Sequence, residues 1–99
     1  MNDKKEHQGI QVKAAENELF GRYSTLAQIT HTPEEFTLRF LYVAPDNMVG
    51  QLQASIITSP AHAKRLHRAL GENIRRYEEK FGEIREYQGN PEPPLDFVQ

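Results

Sequence analysis

Ser59 to Gly82 reads SPAHAKRLHRALGENIRRYEEKFG, and this stretch decides the fold. Ser59 suits an N-cap, where its hydroxyl can accept from a free amide of the first turn. Pro60 suits the first helical position, where a missing N–H costs nothing. Gly82 follows Phe81 where a left-handed C-terminal cap falls. Between these ends the apolar residues are Ala63, Leu66, Leu70, Ile74, Tyr77 and Phe81, at spacings of 3, 4, 4, 3 and 4. That is 18 residues in five turns, or 3.6 per turn. A coiled-coil seam needs a 3.5-residue period. The spacing therefore predicts one straight amphipathic helix whose inner stripe packs on a sheet or globular surface.

Upstream of the helix, the apolar period changes from 3.6 to 2. Glu35–Val43, EFTLRFLYV, is the strongest strand signal. It sets Phe36, Leu38, Phe40 and Tyr42 on one face and Thr37, Arg39, Leu41 and Val43 on the other. Tyr23–His31 and Gly50–Thr58 read as two further strands, the first for its Thr, Ile and Tyr content and the second for Leu52, Ala54 and Ile56 in phase. Ile10–Ala14 alternates apolar with polar and reads as a short fourth strand at the start. Thr32-Pro33-Glu34-Glu35 is a tight turn with proline at its first central position, and Ala44–Asn47 is a loop. Short links force antiparallel neighbours. The expectation is an α+β fold: an antiparallel meander of three to four strands, then one long C-terminal helix packed on the sheet. The face that carries Leu41 and Val43 is expected to have nothing in this chain to cover it, so a homodimer is expected.

Around this body, residues 1–9 are polar and read as a disordered start, residues 10–84 as a single domain, and residues 85–99 as a Pro-rich flexible tail. NPEPPLDF in the tail disfavours helix and favours extended backbone. It reads most simply as a disordered end and, failing that, as a linear docking peptide or a segment that packs back on the body. With 99 residues the chain offers a small core, burying about 60–65% of its unfolded surface, and association is a natural source of extra stability. Its formal charge of −2 points to no acidic or basic partner for the chain as a whole. Cysteine is absent, which removes thiolate and disulfide chemistry. MNDKKEHQG lacks the apolar run of a signal peptide, and no stretch approaches the roughly 20 apolar residues of a membrane span. The expected setting is the cytoplasm, with no membrane partner.

Catalytic motifs are hard to find. His62 and His67 share the helix but stand about 140° apart around it, so one metal ion cannot easily use both. His7 lies in the polar start, and His31 at a strand end. Glu34, Glu35, Glu78, Glu79 and Glu83 sit in turns or on the helix, where solvation is their ordinary reason for being there. No phosphate loop, nucleophile elbow or zincin motif occurs. The expectation is a non-enzymatic protein without metal or cofactor. An enzyme would require a cleft built by dimerisation from His31, His67 and glutamates of two chains.

One local oddity points elsewhere. Lys64, Arg65, Arg68, Arg75 and Arg76 all lie opposite Leu70 on the helix, a candidate contact for phosphate or nucleic acid. Cations in the first turns oppose the helix dipole, so their presence there calls for a use. The plainer reading is a solvated face neutralised by Glu72, Glu78 and Glu79, with Glu72–Arg76 in the favourable order for a helical ion pair. The leading expectation is thus a homodimeric module that binds another protein. The alternative is a nucleic-acid or phosphate-binding protein that uses the outer helix face.

The run RYSTLAQITHTPEEFTLRF, succeeded after a loop by SIITSPAHAKRLHRALGENIRRYEEKFGEI, resembles the small prokaryotic family catalogued as domain of unknown function 3467. The resemblance covers roughly Ile10 to Ile84 and implies a small cytoplasmic bacterial or archaeal protein. It supplies no catalytic or binding residue. Two positions depart from the family pattern: His67, where an apolar residue is usual, and Gly71, where a better helix former is usual. Gly71 costs close to 1 kcal/mol relative to alanine.

Overall fold

A computed structural model describes residues 9–46, 48–86 and 94–98. The chain divides into two compact units, Met1–Ser59 and Pro60–Gln99. The first holds a short 3-10 helix and a three-stranded antiparallel sheet; the second holds one long helix. The architecture is α+β, in the order expected.

In the first unit the strands are β1 (Leu26–His31), β2 (Phe36–Val43) and β3 (Gly50–Thr58), in sheet order β1-β2-β3. The fourth strand expected at Ile10–Ala14 does not form. These residues have no regular structure, and Ile10 is 92% exposed. Alternation over five residues with two large apolar side chains cannot offset the entropy of ordering a strand that buries neither. The next element is the 3-10 helix Glu16–Phe20. Its start is fixed locally: the Ala15 N–H donates to Glu18 Oε1 at 2.7 Å, and the Glu18 N–H donates to the Ala15 carbonyl at 2.9 Å. Gly21, at φ 76°, ends it.

The β1–β2 turn forms at the expected four residues. The Thr32 N–H donates to the Glu35 carbonyl, and the Thr32 hydroxyl accepts from the amides of Glu34 and Glu35, each at 3.2 Å. His31 and Phe36, the last pair of the hairpin, stack with ring centroids 5.2 Å apart.

Register builds the core of this unit as two transverse rows. Ile29, Leu38 and Ile56 align across the three strands, as do Leu26, Leu41 and Leu52. Leu38 and Leu41 are three apart on one strand, so the rows lie on opposite faces. In each row the central leucine is buried, Leu38 at 8% and Leu41 at 7% exposure, because a neighbour flanks it on either side. The face that carries Leu41 is expected to lack cover in this chain, yet Leu41 itself is buried. Ile29, Ile56 and Leu52 stay exposed, at 58%, 50% and 47%, while Leu26 is half-buried.

Between Phe40 and Leu41 the β2–β3 register slips by one residue. Phe40 faces Ala54 while Leu41 faces Leu52, so Gln53 is the extra residue of a bulge. The slip puts Leu52 beside Leu41 in the apolar row.

In the second unit, α1 spans Pro60–Phe81. Gly82 adopts φ 102° and donates its N–H to the Glu78 carbonyl at 3.0 Å, the left-handed stop that the sequence announces. The Glu78 carboxylate then accepts from the Ile84 N–H at 2.9 Å, closing the cap. Of the proline-rich tail, residues 85, 86 and 94–98 are described and form no helix or strand; the expectations for residues 1–8, 47, 87–93 and 99, His7 among them, lie outside the described residues.

Candidate interaction surfaces

The expected basic face separates into two chemically different halves. Glu72 sits between the arginines of the second half and collects them. Its carboxylate meets Arg75 Nη2 at 2.6 Å and Arg76 Nε at 3.5 Å. Arg75 Nη1 reaches on to Glu79 at 2.6 Å, so one guanidinium bridges two carboxylates a turn apart. The hydrogen bond from Arg75, and then its charge, hold the Glu72 carboxyl below the usual carboxylate range, with Arg76 adding to the effect. The same pair raises Arg75. Arg75 and Arg76 are thus neutralised within their own helix. Lys64, Arg65 and Arg68 have no ion pair among the described residues. Of the five cations singled out in the sequence, three remain available to an outside anion. They lie where the helix dipole gives them no help.

Opposite this face, the apolar stripe of α1 lies open. Leu66, Leu70, Ile74, Tyr77 and Phe81 are all exposed, Leu70 at 58%, and α1 holds no buried residue. Tyr77 and Phe81 pack on each other at 4.9 Å between ring centroids, and the Lys80 ammonium lies 5.4 Å from the Phe81 ring. A stripe about four turns long is far more apolar surface than scattered exposed residues provide.

The sheet unit also carries a hollow of about 530 Å³, lined among others by Glu18, Arg22, Ser24, Phe40 and Gln53. Its polar groups serve the fold. Arg22 Nη1 donates to the Gln53 carbonyl at 3.3 Å, the Ser24 hydroxyl bridges to the carbonyls of Leu26 and Leu41, and Glu18 caps its own turn. A binding site needs polar groups aimed at a ligand; here three of the lining side chains are already spent on backbone. Sequence reading missed Arg22, because nothing in its neighbours signals a partner 31 residues away.

Among the described residues, no group of three or more His, Asp or Glu side chains is placed to hold an ion. His31 is engaged with Phe36. Nor does any described helix have the length and apolarity to cross a membrane.

With the meander, the TPEE turn and the glycine-capped helix in place, the comparison with known families is direct. The family described as Protein of unknown function (DUF3467) matches residues 1–86. The chain belongs to that family. The match takes in all three strands, the hairpin turn and α1, so it spans the first compact unit and the helix of the second. No curated protein matches the chain, and no solved structure does.

Proposed function

We propose that this DUF3467 protein is a non-enzymatic, homodimeric interaction module that works in the cytoplasm of a prokaryote. The observation that carries this reading is the open apolar stripe of α1, from Leu66 to Phe81, in a chain whose buried apolar residues among those described are Leu38 and Leu41. Exposed apolar stripes of that length mark surfaces that other polypeptide covers. The straight-helix period argues for a broad apolar surface as its cover rather than a coiled-coil seam. A second copy of the chain is the partner at hand, and a heterologous protein docks on the assembled dimer. No cofactor enters this reading.

Light scattering or sedimentation tests it. The wild type, at 11.4 kDa per chain, runs at twice that mass at micromolar concentration, and Leu70→Glu shifts it toward the monomer. A wild type that stays monomeric at that concentration overturns the reading.

A second reading rests on Lys64, Arg65 and Arg68, whose charges are uncompensated among the described residues. It makes the first half of the outer helix face a contact for phosphate or nucleic acid, with salt-dependent affinity. No shift of DNA or RNA at low salt removes it.

A further inference from the structure

We infer that two copies also join, beside the contact made by the α1 stripe, through the edge of β3 that is unpaired among the described residues, set antiparallel to β3 of the second chain through Ala54–Thr58. This assignment rests on the dimer reading above and adds a second contact to that dimer.

The inference begins from strand length. β3 is the longest strand at nine residues, yet it lies at the sheet edge, beside an eight-residue neighbour. Its sequence, GQLQASIIT, contains no charge and no proline. Natural edge strands are guarded by shortness, charges, proline or bulges, because an open row of N–H and C=O groups invites another strand. β3 has one such guard, the bulge at Gln53, and that guard divides it. Before the bulge, residues 50–52 are offset from the rest of the ladder, and Arg22 occupies the Gln53 carbonyl. After the bulge, Ala54–Thr58 runs in regular register with β2 and carries no charge and no proline of its own to deter a partner. The opposite edge differs. β1 has six residues and ends at a turn carrying Glu34 and Glu35.

The chemistry of the segment fits its own copy. Ile56 and Ile57 point to opposite faces and are exposed at 50% and 62%. Antiparallel pairing about a two-fold axis sets like strand against like strand, so an uncharged, apolar segment meets no unpaired charge in its partner. The joined sheet has six strands. The Ile29–Leu38–Ile56 row then continues into the same row of the second copy, and Ile56 gains the flanking neighbour on its open side that already buries Leu38. An unrelated extended peptide offers the backbone bonds without this continuation.

The absence of cysteine makes the test direct. Single variants Ala54→Cys, Ser55→Cys, Ile56→Cys and Ile57→Cys are oxidised in the full chain and compared with Asn17→Cys on the exposed 3-10 helix. Disulfides need Cβ atoms about 4 Å apart, so covalent dimer should peak at the position on the two-fold axis and decline to either side. Separately, Ile57→Lys and Ser55→Lys should weaken the wild-type dimer by about tenfold or more, with the circular dichroism of the fold retained. Crosslinking no faster than at Asn17→Cys across the scan overturns the assignment. A wild-type dimer that Leu70→Glu dissociates and both lysine variants leave intact overturns it alone, whereas a monomeric wild type overturns the dimer reading with it.

Discussion

The guanidinium of Arg22 donates to the main-chain carbonyl of Gln53, 31 residues away, and so ties the entry to β1 to the bulge of β3. Gln53 is the extra residue of the bulge, and the long Arg22 side chain, from the segment that leads into β1, donates to its carbonyl. Arg22→Met keeps the aliphatic stem and removes the donor. Because the bond is exposed and 3.3 Å long, the expected loss is about 0.5 kcal/mol, at the low end for a single hydrogen bond. Urea denaturation of the two proteins measures it, and an unchanged midpoint means that the contact holds nothing.

Gly71 stands in the middle of α1, and a Cβ built on it meets nothing within 4 Å. Alanine there restricts the unfolded chain and improves helix propensity at no steric cost. Gly71→Ala is expected to stabilise α1 by up to about 1 kcal/mol, seen as a higher thermal midpoint.

Gly82 gives the opposite outcome, although a Cβ there also meets open space. Its φ of 102° is the obstacle, since a side chain disfavours that backbone region. Gly82→Ala is expected to cost about 1 kcal/mol and to fray the last turn, where the Glu78 carbonyl and carboxylate receive their amides. Amide exchange at Gly82 and Ile84 reads this locally.

The Glu72 carboxyl titrates below its usual range in the folded helix because Arg75, and then Arg76, hold it ionised. A carboxyl with a lowered folded pKa stabilises the fold above its unfolded pKa and loses that contribution as pH falls through the folded value. Helicity should therefore decline on acidification from about pH 5 downward, and Glu72→Gln should flatten the part of the decline due to this group. A variant with the wild-type acid profile would place the acid sensitivity elsewhere.

The divided basic face makes its own prediction for the second functional reading. If the outer face binds anions, Lys64→Gln, Arg65→Gln and Arg68→Gln together reduce retention on an immobilised polyanion and its salt dependence. Arg75→Gln with Arg76→Gln has a much smaller effect, because those cations are already paired with Glu72 and Glu79. Equal loss from the two sets contradicts the division.

Much of this fold is local, and local features are legible in a sequence. α1 is readable from Pro60 to Gly82 because a cap, a period and a left-handed stop each act within one or two turns. The TPEE turn is readable because Thr32 bonds to residues two and three positions on. Ile10–Ala14 misleads because alternation states which face a strand would bury, not whether a neighbouring strand exists to pair with it.

Sequence alone determined the order of the three strands and the long helix, and the polar and apolar faces of that helix. Tertiary structure decided which residues meet across strands: Leu38 and Leu41 at the centres of two opposed rows, Gln53 as the bulge, and Arg22 as its partner. Side-chain geometry likewise decided which helix cations are spent, since Glu72 chose Arg75 and Arg76 over Arg68. The physical reason is range. Capping and periodicity are settled by a few neighbouring residues, whereas register and ion-pair choice compare alternatives of nearly equal local energy, and only the folded arrangement separates them.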